Sequence, residues 1–250
     1  MVSRTVLTAL TLLLAAGAAA APPDSRWTVE LEAGYVWSGD NTVQIPNDET
    51  GTRFSFTDDL TSDETWAFRG QVGYALSARS RLLALVAPLT VDASGVIDRD
   101  VSFAGETFAA GTDLEGTFHF NSYRLAWLYQ AVEGPGFSLA VGLTAKVRDA
   151  YIELRGDGRT GRKDDLGVVP LVGFDARLPL GGPFTAQFAG DALAAPQGRA
   201  EDVRLALLYQ MTPRRSAFLG YRVLEGGADN DEVYTFSLFH YAVAGVNLGF

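Results

Sequence analysis

Two histidines, His119 and His240, occur in this 250-residue chain, and it has no cysteine. Nucleophilic chemistry would therefore need a hydroxyl activated by one of these imidazoles. The segment Phe118-His119-Phe120-Asn121-Ser122 offers one such combination. A base and a hydroxyl two residues apart in a strand share a face and can hydrogen-bond. Here that position is Asn121, and Ser122 falls on the opposite face unless a bulge shifts the alternation. His119 and Ser122 are thus catalytic candidates for a lipid-ester hydrolase only if a bulge brings them together. Otherwise His119 is expected to be an interfacial polar residue.

Acid–base peptide cleavage would need carboxylates and a histidine converging on one substrate. Asp229-Asn230-Asp231-Glu232 supplies the acids, but its spacing fits no catalytic motif, and a solvated loop accounts for it. Two further stretches are acidic. Residues 38–64 set Asp40, Asp48, Glu49, Asp58, Asp59, Asp63 and Glu64 against Arg53, and residues 92–116 set Asp92, Asp98, Asp100, Glu106, Asp113 and Glu115 against Arg99. Neither has the D-x-D-x-D-G spacing of a calcium loop, so no metal site and no cofactor are expected.

The elements that would position these groups are strands. Tyr234, Phe236, Leu238, His240, Ala242, Ala244, Val246, Leu248 and Phe250 fall on one face of a terminal segment, with Thr235, Ser237, Gly245, Asn247 and Gly249 between them. Alternation this long suits a tilted strand crossing a bilayer. Phe250, an aromatic on the apolar face, resembles the C-terminal assembly signal of outer-membrane barrels. Nine more segments alternate: 27–37, 65–76, 81–91, 117–130, 137–154, 166–178, 184–193, 201–210 and 216–224. In the third, Leu82 to Val86 is apolar on both faces, so its register is open.

Connections alternate between long or medium and short, as external loops and periplasmic turns do in outer-membrane barrels. Trp27, Trp37, Trp66 and Trp127 sit near strand ends on the apolar parity, where aromatic girdles lie. The expected fold is an all-β, single-chain antiparallel transmembrane β-barrel of ten strands, with eight or twelve as alternatives. Twelve would require residues of the first long loop, or Val101 to Phe108, to enter the wall. A soluble lipocalin-like barrel is the bland rival.

Residues 1–20 read as a signal peptide: Arg4, an apolar run from Val6 to Leu14, then small residues to the expected cleavage after Ala20. Residues 21–250 form the barrel domain. The chain carries 20 basic and 30 acidic side chains, a net charge of −10, which argues against nucleic acid. The parity opposite the apolar one is charged: Glu30, Glu32, Arg69, Arg124, Lys146, Arg148, Asp175, Arg177, Asp191, Asp202, Arg204 and Arg222. Buried charges need partners, so a salt-bridged plug is expected to fill a barrel this narrow, with a small channel for polar or anionic solutes as the alternative.

The chain resembles an uncharacterised family of proteobacterial outer-membrane β-barrel proteins. The resemblance is carried by Ile45-Pro46 with Gly51-Thr52-Arg53-Phe54, by Ala87-Pro88-Leu89, and by Val147-Arg148-Asp149-Ala150. It extends through Ala195-Pro196-Gln197-Gly198-Arg199-Ala200 and Gly220-Tyr221-Arg222-Val223-Leu224-Glu225-Gly226-Gly227. It implies the Gram-negative outer membrane and the barrel fold, but no activity or binding residues. The function expected is a non-enzymatic barrel with a structural, envelope-interaction or narrow-pore (porin-like) role. Expected partners are outer-membrane lipid and lipopolysaccharide, and the barrel-assembly machinery through the C-terminal strand. The sequence leaves the oligomeric state open.

Overall fold

The computed structural model describes residues 25–196 and 198–250, so the expected signal peptide and its expected cleavage point lie outside the described residues. Ten antiparallel wall strands follow one another: β1 (Trp27–Gln44), β2 (Thr65–Ser77), β3 (Ser80–Ala87, resuming as Thr90–Val96), β4 (Asp113–Glu133) and β5 (Ser138–Gly156), then β6 (Arg159–Gly181), β7 (Phe184–Ala195), β8 (Gly198–Thr212), β9 (Arg215–Asp229) and β10 (Tyr234–Gly249). Each pairs with the next, and β10 returns to β1 from Thr28↔Gly249 to Gln44↔Tyr234. Closure leaves no open edge, the condition for placing a sheet in hydrocarbon. The break in β3 falls at Pro88, whose ring nitrogen cannot donate to the ladder, and both pieces pair with β4.

At their long-loop ends the strands run beyond where alternation stops. β6 starts at Arg159 rather than 166, and β5 turns into it through Asp157 and Gly158, both at positive φ. This is the geometry that a two-residue hairpin needs. The medium loops expected at 155–165 and 194–200 are thus hairpin tips. Polar residues on both faces hide the period there while the ladder continues. In β1 the pairing slips between Ser38 and Asp40, a bulge that puts Asn41 and Val43 on the same inward face as Val36.

The outer surface carries an apolar belt that includes Leu31, Phe68, Leu125, Leu143, Val168, Val172, Leu205 and Leu219, all exposed. Aromatic pairs border it. Trp27 with Tyr74 (4.7 Å) and Phe184 with Tyr209 (5.4 Å) lie toward the short turns, and Tyr35 with Trp66 (5.4 Å) and Trp37 with His240 (5.6 Å) toward the long loops. Apolar residues facing out with rings at both rims are the pattern of a bilayer-spanning barrel; a soluble barrel faces them inward.

The two long loops turn inward over the barrel mouth. Phe54, Phe56 and Leu60 from the first loop pack with Ile97, Val101, Phe103 and Phe108 from the second, and with Phe118, Leu154 and Phe239 from the wall, in one buried cluster. Phe54 lies 5.6 Å from Phe56 and 5.7 Å from Phe103. Val101–Phe103 and Glu106–Phe108 form a separate two-stranded hairpin, so neither joins the wall and the barrel has ten strands.

Arg99 fastens the loops together by donating to both carboxylate oxygens of Asp59 at 2.8 and 2.9 Å. These hydrogen bonds hold the Asp59 carboxyl below its usual range. Asp59 therefore stabilises the loops above the ordinary carboxylate value of about 3.9, and that stabilisation is lost as pH falls through its lower folded value. A half-exposed pair contributes about 1 kcal/mol at most. Arg99→Ala is accordingly expected to speed proteolytic cleavage of residues 45–64 at pH 7 by up to about fivefold, with the barrel intact. An unchanged rate would show that the latch contributes nothing.

Candidate functional site

The inward parity of β1, β2, β4, β7, β8 and β9 converges at mid-lumen. Arg222 donates to Glu32 through Nε (2.9 Å) and Nη2 (2.8 Å), and to Asp202 through Nη1. Arg124 reaches Asp202 and Asp191 with its two terminal nitrogens, at 2.5 and 2.8 Å, while its Nε donates to Ser122 Oγ at 2.9 Å. Arg69 adds a third guanidinium to Asp202 at 3.0 Å. Arg204 spans Glu30 (2.7 Å) and Glu32 (2.6 Å) and lies with its guanidinium 4.2 Å from the Phe218 ring centre.

Four guanidiniums thus face four carboxylates, and the side chains of Glu32 and Asp202 are each only 2% exposed. Mutual pairing makes such burial tolerable, since an unpaired charge there would be very costly. Gln187 links this layer to a lower one, accepting from Arg204 at 3.0 Å and donating to Asp175 at 3.0 Å. Asp175 also accepts from Arg81 at 2.6 Å and from Arg177 at 2.9 and 3.1 Å.

Ten of the twelve charged residues expected in the lumen meet in these two layers. Lys146 and Arg148 stand apart from them. Lys146 lies 4.7 Å above the Phe120 ring, and Arg148 pairs with Asp165. Sequence reading omitted Arg81, because the flanking run from Leu82 to Val86 conceals the parity of β3. It also missed the upper seal: Phe239, Tyr241 and Val243 are inward and buried, so the central stretch of β10's inner face carries large, mainly apolar side chains. Above the charged layers the lumen is closed by this surface and the two long loops. Below, toward the short turns, it widens into a cavity of about 600 Å³.

His119 points outward. Its Nδ1 lies 2.8 Å from Thr90 Oγ1, its Nε2 lies 2.9 Å from the Asn121 amide nitrogen, and its ring stacks on Tyr151 at 4.6 Å. Ser122 is buried on the inward face, where it accepts from Arg124. The β4–β5 register is regular from Leu125 to Glu115, so no bulge brings the hydroxyl to the imidazole. His240 also faces out, between Trp37 and Tyr221, with Nδ1 2.5 Å from the Tyr221 hydroxyl. The acids of the 229–232 turn are taken up by neighbouring segments, Asp229 accepting from Asn47 and Glu232 pairing with Lys163. Among the described residues, no three His, Asp or Glu side chains group as metal ligands would.

A closed wall, an outward apolar belt, aromatic rims and a charge-filled lumen define a transmembrane β-barrel. Solved structures similar to the chain include bacterial outer-membrane proteins. The outer-membrane protease OmpT from Escherichia coli is 12% identical, with a TM-score of 0.54 over 91% of this chain and 97% of its own. Neisserial surface protein A (NspA) is 14% identical, with a TM-score of 0.36 over 90% of this chain and 98% of its own. The toluene transporter TodX of P. putida is 10% identical, with a TM-score of 0.38 over 95% of this chain and 93% of its own. No protein-family model matches the chain, and no curated protein sequence is significantly similar to it. OmpT supports the fold, and at this identity nothing about activity passes across.

Proposed function

We propose that the chain is a non-conducting, non-enzymatic outer-membrane barrel, exported by its cleaved leader, with a structural or envelope-interaction role exercised at its two mouths. The observation that carries this is the double seal. A neutral layer of four arginines and four carboxylates fills the mid-lumen, and the Phe54–Phe56–Phe103 cluster caps it. A wall of ten strands encloses only a little more room than eight, whose side chains fill the interior. The narrow-pore reading would need a path through both seals. The hydrolase reading would need a nucleophile beside His119, and Ser122 faces the other way.

Lipopolysaccharide and membrane lipid would contact the outer belt, and the assembly machinery would engage β10 and Phe250, which is exposed. Proteoliposomes of the refolded barrel are expected to swell in arabinose no faster than protein-free vesicles. Swelling at rates typical of a porin would contradict the reading.

A further inference from the structure

Below its sealed middle the barrel holds the cavity of about 600 Å³, open at the short-turn end. The chain as a whole carries a net charge of −10, yet this cavity is basic. Beneath the balanced layer its wall sets Arg79, Arg81, Arg177, Arg214 and Arg215 against Asp175 and Glu133. Asp175 is already saturated by Arg81, Arg177 and Gln187. Nε and Nη1 of Arg81 and Nη1 of Arg177 are left with no acceptor among the described residues. Arg79, Arg214 and Arg215 lie at the turns joining β2 to β3 and β8 to β9, and make no ion pair among the described residues.

A purely structural network balances its charges, as the layer above does. This one keeps a surplus of guanidinium forks facing open space. Such forks match the two-oxygen edge of a carboxylate or phosphate. Concave, weakly polarisable walls focus their potential, and the volume is that of a small-molecule site.

We propose that this vestibule binds a small multivalent oxyanion, bearing at least two carboxylate or phosphate groups, from the short-turn side. One group sits against Arg81 and Arg177, and the remainder against the turn arginines. The test is titration calorimetry of the full barrel, refolded in zwitterionic detergent at low salt, with pyrophosphate and citrate as probes. Heat-modifiable gel mobility confirms the folding of each variant.

Saturable binding of either probe is expected, and the affinity ratio would assign phosphate or carboxylate as the preferred group. Arg81→Gln should weaken it about tenfold, the loss of one charge-assisted hydrogen bond. The Arg79→Gln/Arg215→Gln double variant should do likewise. Its positions are exposed and do not touch Asp175, so it serves if Arg81→Gln fails to fold. No saturable binding of either probe by the folded barrel, or an affinity unchanged in the folded variants, would overturn the proposal. Conductance through the barrel would contradict the sealed lumen while leaving this site standing.

Discussion

Asp202→Ala is expected to destabilise the barrel by roughly 3–5 kcal/mol, the usual consequence of removing one partner from a buried ion pair. Asp202 accepts from Arg69, Arg124 and Arg222, and all three guanidiniums are nearly inaccessible to water. Without it, Arg69 keeps only a 3.5 Å contact with Glu32, while Arg124 and Arg222 fall back on Asp191 and Glu32. Asp202→Asn retains acceptor oxygen but no charge, so it should fall between alanine and wild type. The urea midpoint of the refolded barrel in lipid vesicles, read from gel mobility, measures the effect. A shift under about 1 kcal/mol for the alanine variant would mean that water reaches these arginines and that the middle of the lumen is not sealed.

The second large effect belongs to the outer wall. Leu143 is 66% exposed and lies in the apolar stretch of the outward face of β5, two outward positions from Leu139 and three from Asp149. An arginine near the bilayer midplane of such a barrel costs about 2–4 kcal/mol, and close to the interface at most about 1 kcal/mol. Leu143→Arg should therefore lower the vesicle urea midpoint strongly, and Asp149→Arg, three outward positions higher, should barely move it. On a water-facing surface both would stay within about 0.5 kcal/mol. Equal, small effects would overturn the assignment of this face to lipid.

Most of the wall was legible because period-2 alternation survives wherever one face meets hydrocarbon and the other the lumen. It failed where that contrast ends. Beyond Leu166 toward Arg159, and beyond Trp37, both faces of the strand meet water or loops, or a bulge inverts the parity, so the strands looked shorter than they are. The charged residues of the lumen could be identified as inward from their parity. Their pairing could not, because it depends on the stagger between strands far apart in sequence, such as Arg204 with Glu30.

The loops misled most. Phe54, Phe56, Phe103 and Phe108 are scattered among acidic residues in stretches that read as projecting and solvated. Their burial follows from the shape of the barrel mouth, which no local pattern encodes. Arg81 escaped because Leu82 to Val86 is apolar on both parities. The basic vestibule escaped because it is assembled from two separate turns, which carry Arg79 and Arg214–Arg215, together with Arg81 of β3 and Arg177 of β6.

The central claim is that the lumen is closed, and planar-bilayer recording of the refolded chain tests it most directly. Electrically silent membranes containing barrel of verified heat-modifiable mobility are the predicted result. Discrete, reproducible conductance steps that disappear when Arg69, Arg124 or Arg222 is replaced would contradict it, and would place a permeation path through the arginine–carboxylate layer.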